Sequence, residues 1–177
     1  MSAPASLSPF IGPTAIAIVL AAAAIDLQRR RIPNWLTFGA WVAALPAQIA
    51  MLGAINGTLA WSLGWLAGFG VLLPFYLMRG MAAGDVKLMS AVGAWLGAGM
   101  VLKIALATFV IGGAWALVLI LAAGQARATL LRVGHMLVAA VLPGSMPVQP
   151  DAEASVGSMP YGVAIAGGTL VMLFASA

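Results

Sequence analysis

Carboxylates are scarce in this sequence, with four Asp and Glu among 177 residues. Asp151 and Glu153 sit together in a Pro/Ser-rich stretch near the C-terminus. That leaves Asp26, at the end of the first long apolar run, and Asp85, at the start of a later one. An ionisable side chain at membrane depth costs a few kcal/mol and points to function by default. Two aspartates within a few ångströms of each other cannot both ionise, so the pair holds one proton and titrates as a unit. That state suits peptide hydrolysis: one carboxylate takes a proton from water while its protonated partner polarises the scissile carbonyl. The chemistry needs no covalent intermediate, metal or cofactor. Cysteine is absent and there is a single histidine, His135, which excludes thiol nucleophiles, disulfides and Cys-based zinc sites.

The elements that must position the two acids follow from composition. Hydrophobic residues make up 63% of the chain and charged residues 7%, with a mean hydropathy of +1.09. A soluble domain carries about 25% charged residues, and a membrane β-barrel alternates polar and apolar positions. The apolar runs here are continuous, so the fold class is an all-α, polytopic membrane bundle of about six helices in a single domain. The net charge of +4 and isoelectric point near 10.4 read as a topology signal in the bilayer rather than as a nucleic-acid footprint.

Phe10 to Leu27 forms the first span and ends in Arg29-Arg30-Arg31. Its positive charge follows the apolar stretch, whereas a signal peptide carries it in front. Ile32-Pro33-Asn34 is a turn, because proline cannot continue a helix and restricts the residue before it. Trp35 to Leu52 is the second span, with Pro46 as a kink. Gly53 to Thr58, containing Asn56-Gly57, reads as an outer turn. Leu59 to Met78 is the third span, and Arg79 to Gly84 a loop. A short fourth run starts at Asp85 and reaches Gly97, and a fifth covers Val101 to Ala123. Residues 124–158 form a linker, within which 126–142 could lie in the interface as an amphipathic helix. The last run begins at Pro160.

With six spans and the N-terminus outside, Arg29, Arg30, Arg31, Arg79, Lys87, Arg127 and Arg132 fall on the cytoplasmic side, and Lys103 alone falls outside. This orients the bundle by the positive-inside rule. It also brings Asp26 and Asp85 to one depth, at the cytoplasmic end. Gly84, beside Asp85, would let a substrate backbone approach closely. Plainer readings fit each acid taken singly. Asp26 could pair with Arg29 or Arg30 along its own helix. Asp85 could answer the dipole of its helix, with Lys87 as its counter-charge. His135 reads as an interfacial polar residue.

Three segments carry a resemblance. Asp26-Leu27-Gln28-Arg29-Arg30-Arg31-Ile32-Pro33-Asn34 resembles the first aspartate motif of type IV prepilin peptidases. Gly84-Asp85-Val86-Lys87-Leu88, with Gly93-Ala94-Trp95-Leu96-Gly97 after it, resembles the second, Gly-x-Gly-Asp. Met159-Pro160-Tyr161-Gly162 and the residues that follow are similar to the segment opening that family's final helix. The first glycine of Gly-x-Gly-Asp is Ala82 here, which keeps the position small. The resemblance implies an aspartic endopeptidase of the bacterial cytoplasmic membrane, with Asp26 and Asp85 as its catalytic pair. It would remove the basic leader from prepilins or pseudopilins at the cytoplasmic face. Larger members of the family carry a four-cysteine zinc insertion and also N-methylate the new terminus. A chain without cysteine looks like the short, peptidase-only members that serve Flp-type, tight-adherence pili, and N-methyltransferase activity is not expected. The rival readings are a proton-coupled transporter using the two acids as relays and a non-catalytic scaffold for pilus assembly. Transport usually places polar groups at mid-membrane, whereas both acids here fall at one edge.

Overall fold

The computed structural model describes residues 10–78, 80–122 and 160–176, which form six α-helices and no strand. They are α1 (Ile11–Arg29), α2 (Asn34–Leu52), α3 (Ala54–Leu77), α4 (Ala83–Leu96), α5 (Ala98–Ala122) and α6 (Tyr161–Ala175). The protein is a helical membrane bundle: α1, α2, α3 and α5 are long and apolar enough to cross a bilayer, and α4 and α6 are shorter. The chain divides into two compact units, residues 1–112 with 160–177, and residues 113–159. In the second unit the described residues are helical and expose large apolar side chains, among them Trp115 and Val118. Arg79, the 126–142 amphipathic segment, His135 and the Asp151/Glu153 stretch lie outside the described residues.

α4 is the hub. It packs against α1, α2, α3 and α6, and α1 packs against α6. From Asp85 to its end only Lys87 is not buried. Small residues make this possible. In a membrane, helices associate through close van der Waals packing rather than through hydrophobic transfer. A Cβ on Gly64 of α3 would collide with the Gly93 carbonyl of α4, and a Cβ on Gly68 with the Met89 carbonyl. α6 approaches α5 in the same manner: a Cβ on Gly168 would lie 3.0 Å from the Ile104 carbonyl oxygen. Around this centre the other helices turn Leu20, Val42, Leu63, Leu66 and Leu106 outward, where lipid replaces water as their solvent.

The short α4 exposes a problem that side chains solve. The last carbonyls of a helix have no intrahelical partner, and here they lie in the apolar interior. Gln48 of α2 donates from Nε2 to the carbonyls of Ala94 and Trp95, at 3.2 and 2.7 Å. Trp95 Nε1 donates back to the Ala40 carbonyl at 2.8 Å. α2 thereby grips the C-terminal turn of α4.

Two boundaries differ from the sequence reading. The expected outer turn over Gly53 to Thr58 contracts to one residue, Gly53, and α3 begins at Ala54. Gly53 has φ 82° and ψ 168°, a region that is essentially restricted to glycine. Asn56-Gly57 resembles a turn in sequence, yet Gly57 is helical and serves packing: a Cβ there would lie 2.5 Å from the Gln48 carbonyl oxygen. The α4–α5 junction repeats the device. Gly97, with φ 80° and ψ 166°, alone separates the two helices.

Candidate active site

Asp26 lies in the last turn of α1. The helix closes at Arg30, whose backbone turns left-handed (φ 52°) while its N–H donates to the Asp26 carbonyl at 2.8 Å. Ile32 and Pro33 then extend the chain, and α2 starts at Asn34 behind a proline whose φ of −71° suits that position. The Asp26 side chain reaches across to the final helix: Oδ2 accepts the N–H of Gly162 at 3.0 Å. Gly162 is the second residue of α6, so one of that helix's otherwise unsatisfied amides and the positive end of its dipole meet the carboxylate. A Cβ on Gly162 would stand 2.9 Å from Asp26 Oδ2. A side chain there would require the carboxylate to shift.

Asp85 is the third residue of α4 and is held locally. Its Oδ2 accepts the N–H of Ala82, the residue capping the helix, at 3.2 Å, and its own N–H donates to the Ala82 carbonyl at 3.1 Å. This is the acidic half of a capping box. Ala82 is exposed and has φ −81°, a value open to any residue, so the alanine in place of the motif's first glycine brings no backbone conflict.

Each aspartate is only 6% exposed, and the Asp26 carboxyl lies close enough to Asp85 for the two to interact electrostatically. The field of Asp85 in turn reaches Tyr161, the residue before Gly162. Both acids therefore face the N-terminal turns of α4 and α6, where two helix dipoles favour negative charge. Among the described residues they are the only carboxylates, and no cluster of His, Cys, Asp and Glu is placed to hold a metal ion.

Two sequence expectations change. Gly84 does not leave an open approach for a substrate: a Cβ there would meet the Ile32 Cβ at 3.2 Å. The turn of the first motif occupies that space and packs onto the second. Lys87 does not serve as the counter-charge of Asp85. Its Nζ donates to Asn34 Oδ1 at 2.9 Å, tying α4 to the first residue of α2. The Asp26 carboxylate finds a partner across the bundle, on α6, that its own helix end did not foretell. The Pro-Tyr-Gly segment was legible as a motif, but its role as a backbone donor to Asp26 had no local signal.

A family model described as the type IV leader peptidase family matches residues 14–117, the stretch that holds both aspartates. The chain belongs to the type IV leader peptidase family. It is similar to the prepilin leader peptidase/N-methyltransferase of Xanthomonas campestris pv. campestris, with 33% identity over 132 residues, 69% of this chain and 44% of that protein. Proteins of the same name from two strains of Burkholderia pseudomallei are 35% identical over 115 residues, 58% of this chain and 35% of theirs. The chain spans less than half the length of these curated relatives. No solved structure matches it.

Proposed function

We propose that this protein is a membrane-embedded aspartic endopeptidase that cleaves the basic leader from type IV prepilins or pseudopilins, those of Flp-type pili in particular, at the cytoplasmic face of the bacterial cytoplasmic membrane. The observation that carries the reading is the convergence of Asp26 and Asp85, two buried acids from distant parts of the chain, upon the N-terminal turns of α4 and α6. Each carboxylate has Oδ2 fixed by a backbone amide. The other oxygen of each would hold the shared proton and the attacking water.

In the reaction the ionised aspartate removes a proton from water as the oxygen attacks the scissile carbonyl carbon. The protonated aspartate gives its proton to the carbonyl oxygen, so charge never accumulates on the tetrahedral intermediate. The intermediate then collapses: a proton passes to the amide nitrogen, the C–N bond breaks, and the pair returns to one proton. A basic leader would remain in the cytoplasm while the apolar segment behind it stays in the bilayer. Positive charge is costly to move into lipid, which fixes the scissile bond at the cytoplasmic interface. The printed name of the relatives also includes N-methyltransferase; with less than half of their length matched, the proposal is confined to peptide cleavage.

The test is co-expression of the native protein and a candidate Flp-type prepilin in membranes, with the product's mass read to locate the cut. Loss of the leader as one fragment, abolished in Asp26→Asn and Asp85→Asn proteins that accumulate normally, is the expected result. An unprocessed prepilin with the native protein, or processing that survives both substitutions, would defeat the proposal.

A further inference from the structure

On the other side of α4 lies a cavity of about 180 Å³ between α2, α3 and α4, walled by Phe38, Trp41, Trp65 and Phe69, with Lys87 at its edge. Two residues along an α-helix turn through about 200°. Lys87 therefore faces away from Asp85, and a peptide bond can reach the aspartates without entering this cavity. The wall is continuous: Trp41 stands 6.3 Å from Phe38 and 6.0 Å from Trp65 between ring centroids, and Trp65 stacks on Phe69 at 5.7 Å. Its rim opens to the apolar outer surface at Phe38, which is more than half exposed.

The polar groups here form an unbalanced set. Among the described residues the Lys87 ammonium bonds the neutral Asn34 side chain and sits 5.8 Å from the Phe38 centroid. No carboxylate among the described residues joins it. The two hydroxyls on the lining are already committed as donors, Thr37 to the Asn34 carbonyl and Ser90 to the Val86 carbonyl. What the site lacks is an anion attached to an apolar chain.

We propose that this groove binds an anionic phospholipid of the surrounding bilayer, its phosphate at Lys87 and an acyl chain along the aromatic wall. Charge complementarity selects the head group, and the lipid-facing rim selects a bilayer component over a soluble anion. The bound lipid would brace α2 and α3 against α4, the helix that carries Asp85.

The full chain, reconstituted in nanodiscs of equimolar phosphatidylglycerol and phosphatidylcholine, is released into a mass spectrometer and the retained lipid is identified. Native protein keeps phosphatidylglycerol in preference. Lys87→Gln lowers that preference about fivefold, equivalent to the ~1 kcal/mol that one cation contributes beside anionic lipid. Lys87→Arg keeps it, as does Lys103→Gln on α5. Absence of a preference in the native protein, or a preference unchanged in Lys87→Gln, overturns the proposal. So does displacement of the lipid by a prepilin peptide, which would give the groove to the substrate.

Discussion

The two aspartates look alike in sequence, each buried and each at the edge of an apolar run, yet the chain holds them in different ways. Asp85 is fixed from within its own first turn by the amide of Ala82, three residues away. Asp26 is fixed by the amide of Gly162, which the chain reaches only at its last described helix. One acid is positioned by local geometry and the other by the assembled bundle. A site built this way is complete only when α6 has docked against α1, so the proposed catalytic pair depends on the packing of the final helix.

Perturbing the remote support should have the largest effect. Gly162→Ala places a methyl 2.9 Å from Asp26 Oδ2 and must push the carboxylate or the helix aside. Displacements near 1 Å cost about 100-fold in rate, and a loss of that order in prepilin cleavage is expected with the protein still membrane-inserted. Cleavage within a fewfold of native would mean that the α6 amide is not what holds Asp26.

Gln48→Leu asks how far the support of α4 is local. It leaves the Ala94 and Trp95 carbonyls unpaired in the interior, at a cost of about 1–3 kcal/mol, so thermal unfolding in detergent should shift downward. An unchanged transition would show that α4 holds its far end without α2.

The local support is tested with Ala82→Pro, which removes the donor to Asp85 at a residue whose φ of −81° lies within proline's range. A hydrogen bond to a charged group contributes about 1.5–3 kcal/mol, and because this one is long, at 3.2 Å, the lower end of that range, a rate loss of about tenfold, is expected. A loss equal to that of Gly162→Ala would erase the contrast between the two aspartates. Ala82→Gly restores the family's Gly-x-Gly-Asp pattern and should change cleavage least, less than about twofold, because surface changes of this kind stay within about 0.5 kcal/mol.

Legibility in the sequence follows the same division. The apolar runs, the Ile32-Pro33 turn and the approximate helix ends could be read because hydropathy and proline act over a few residues. Asp85 at a helix mouth could be read for the same reason. The Gly162–Asp26 pairing and the Gln48 grip on α4 could not, because their partners are set by which helices pack together. Gly57 shows how a local signal misleads: Asn-Gly favours a turn, but the absent side chain serves the approach of α3 to α2. Lys87 shows the reverse, since proximity in sequence suggested Asp85 while the folded chain supplies Asn34.

The central claim is that Asp26 and Asp85 act as one unit. The most direct measurement is a double-mutant cycle on prepilin cleavage, with Asp26→Asn, Asp85→Asn and the doubly substituted protein at matched membrane levels. Residues that share one proton and one water lose nearly everything on the first substitution. The account therefore predicts that each single variant is as inactive as the double. Residual cleavage in either single variant, with losses that multiply in the double, would show two independent acids and contradict it.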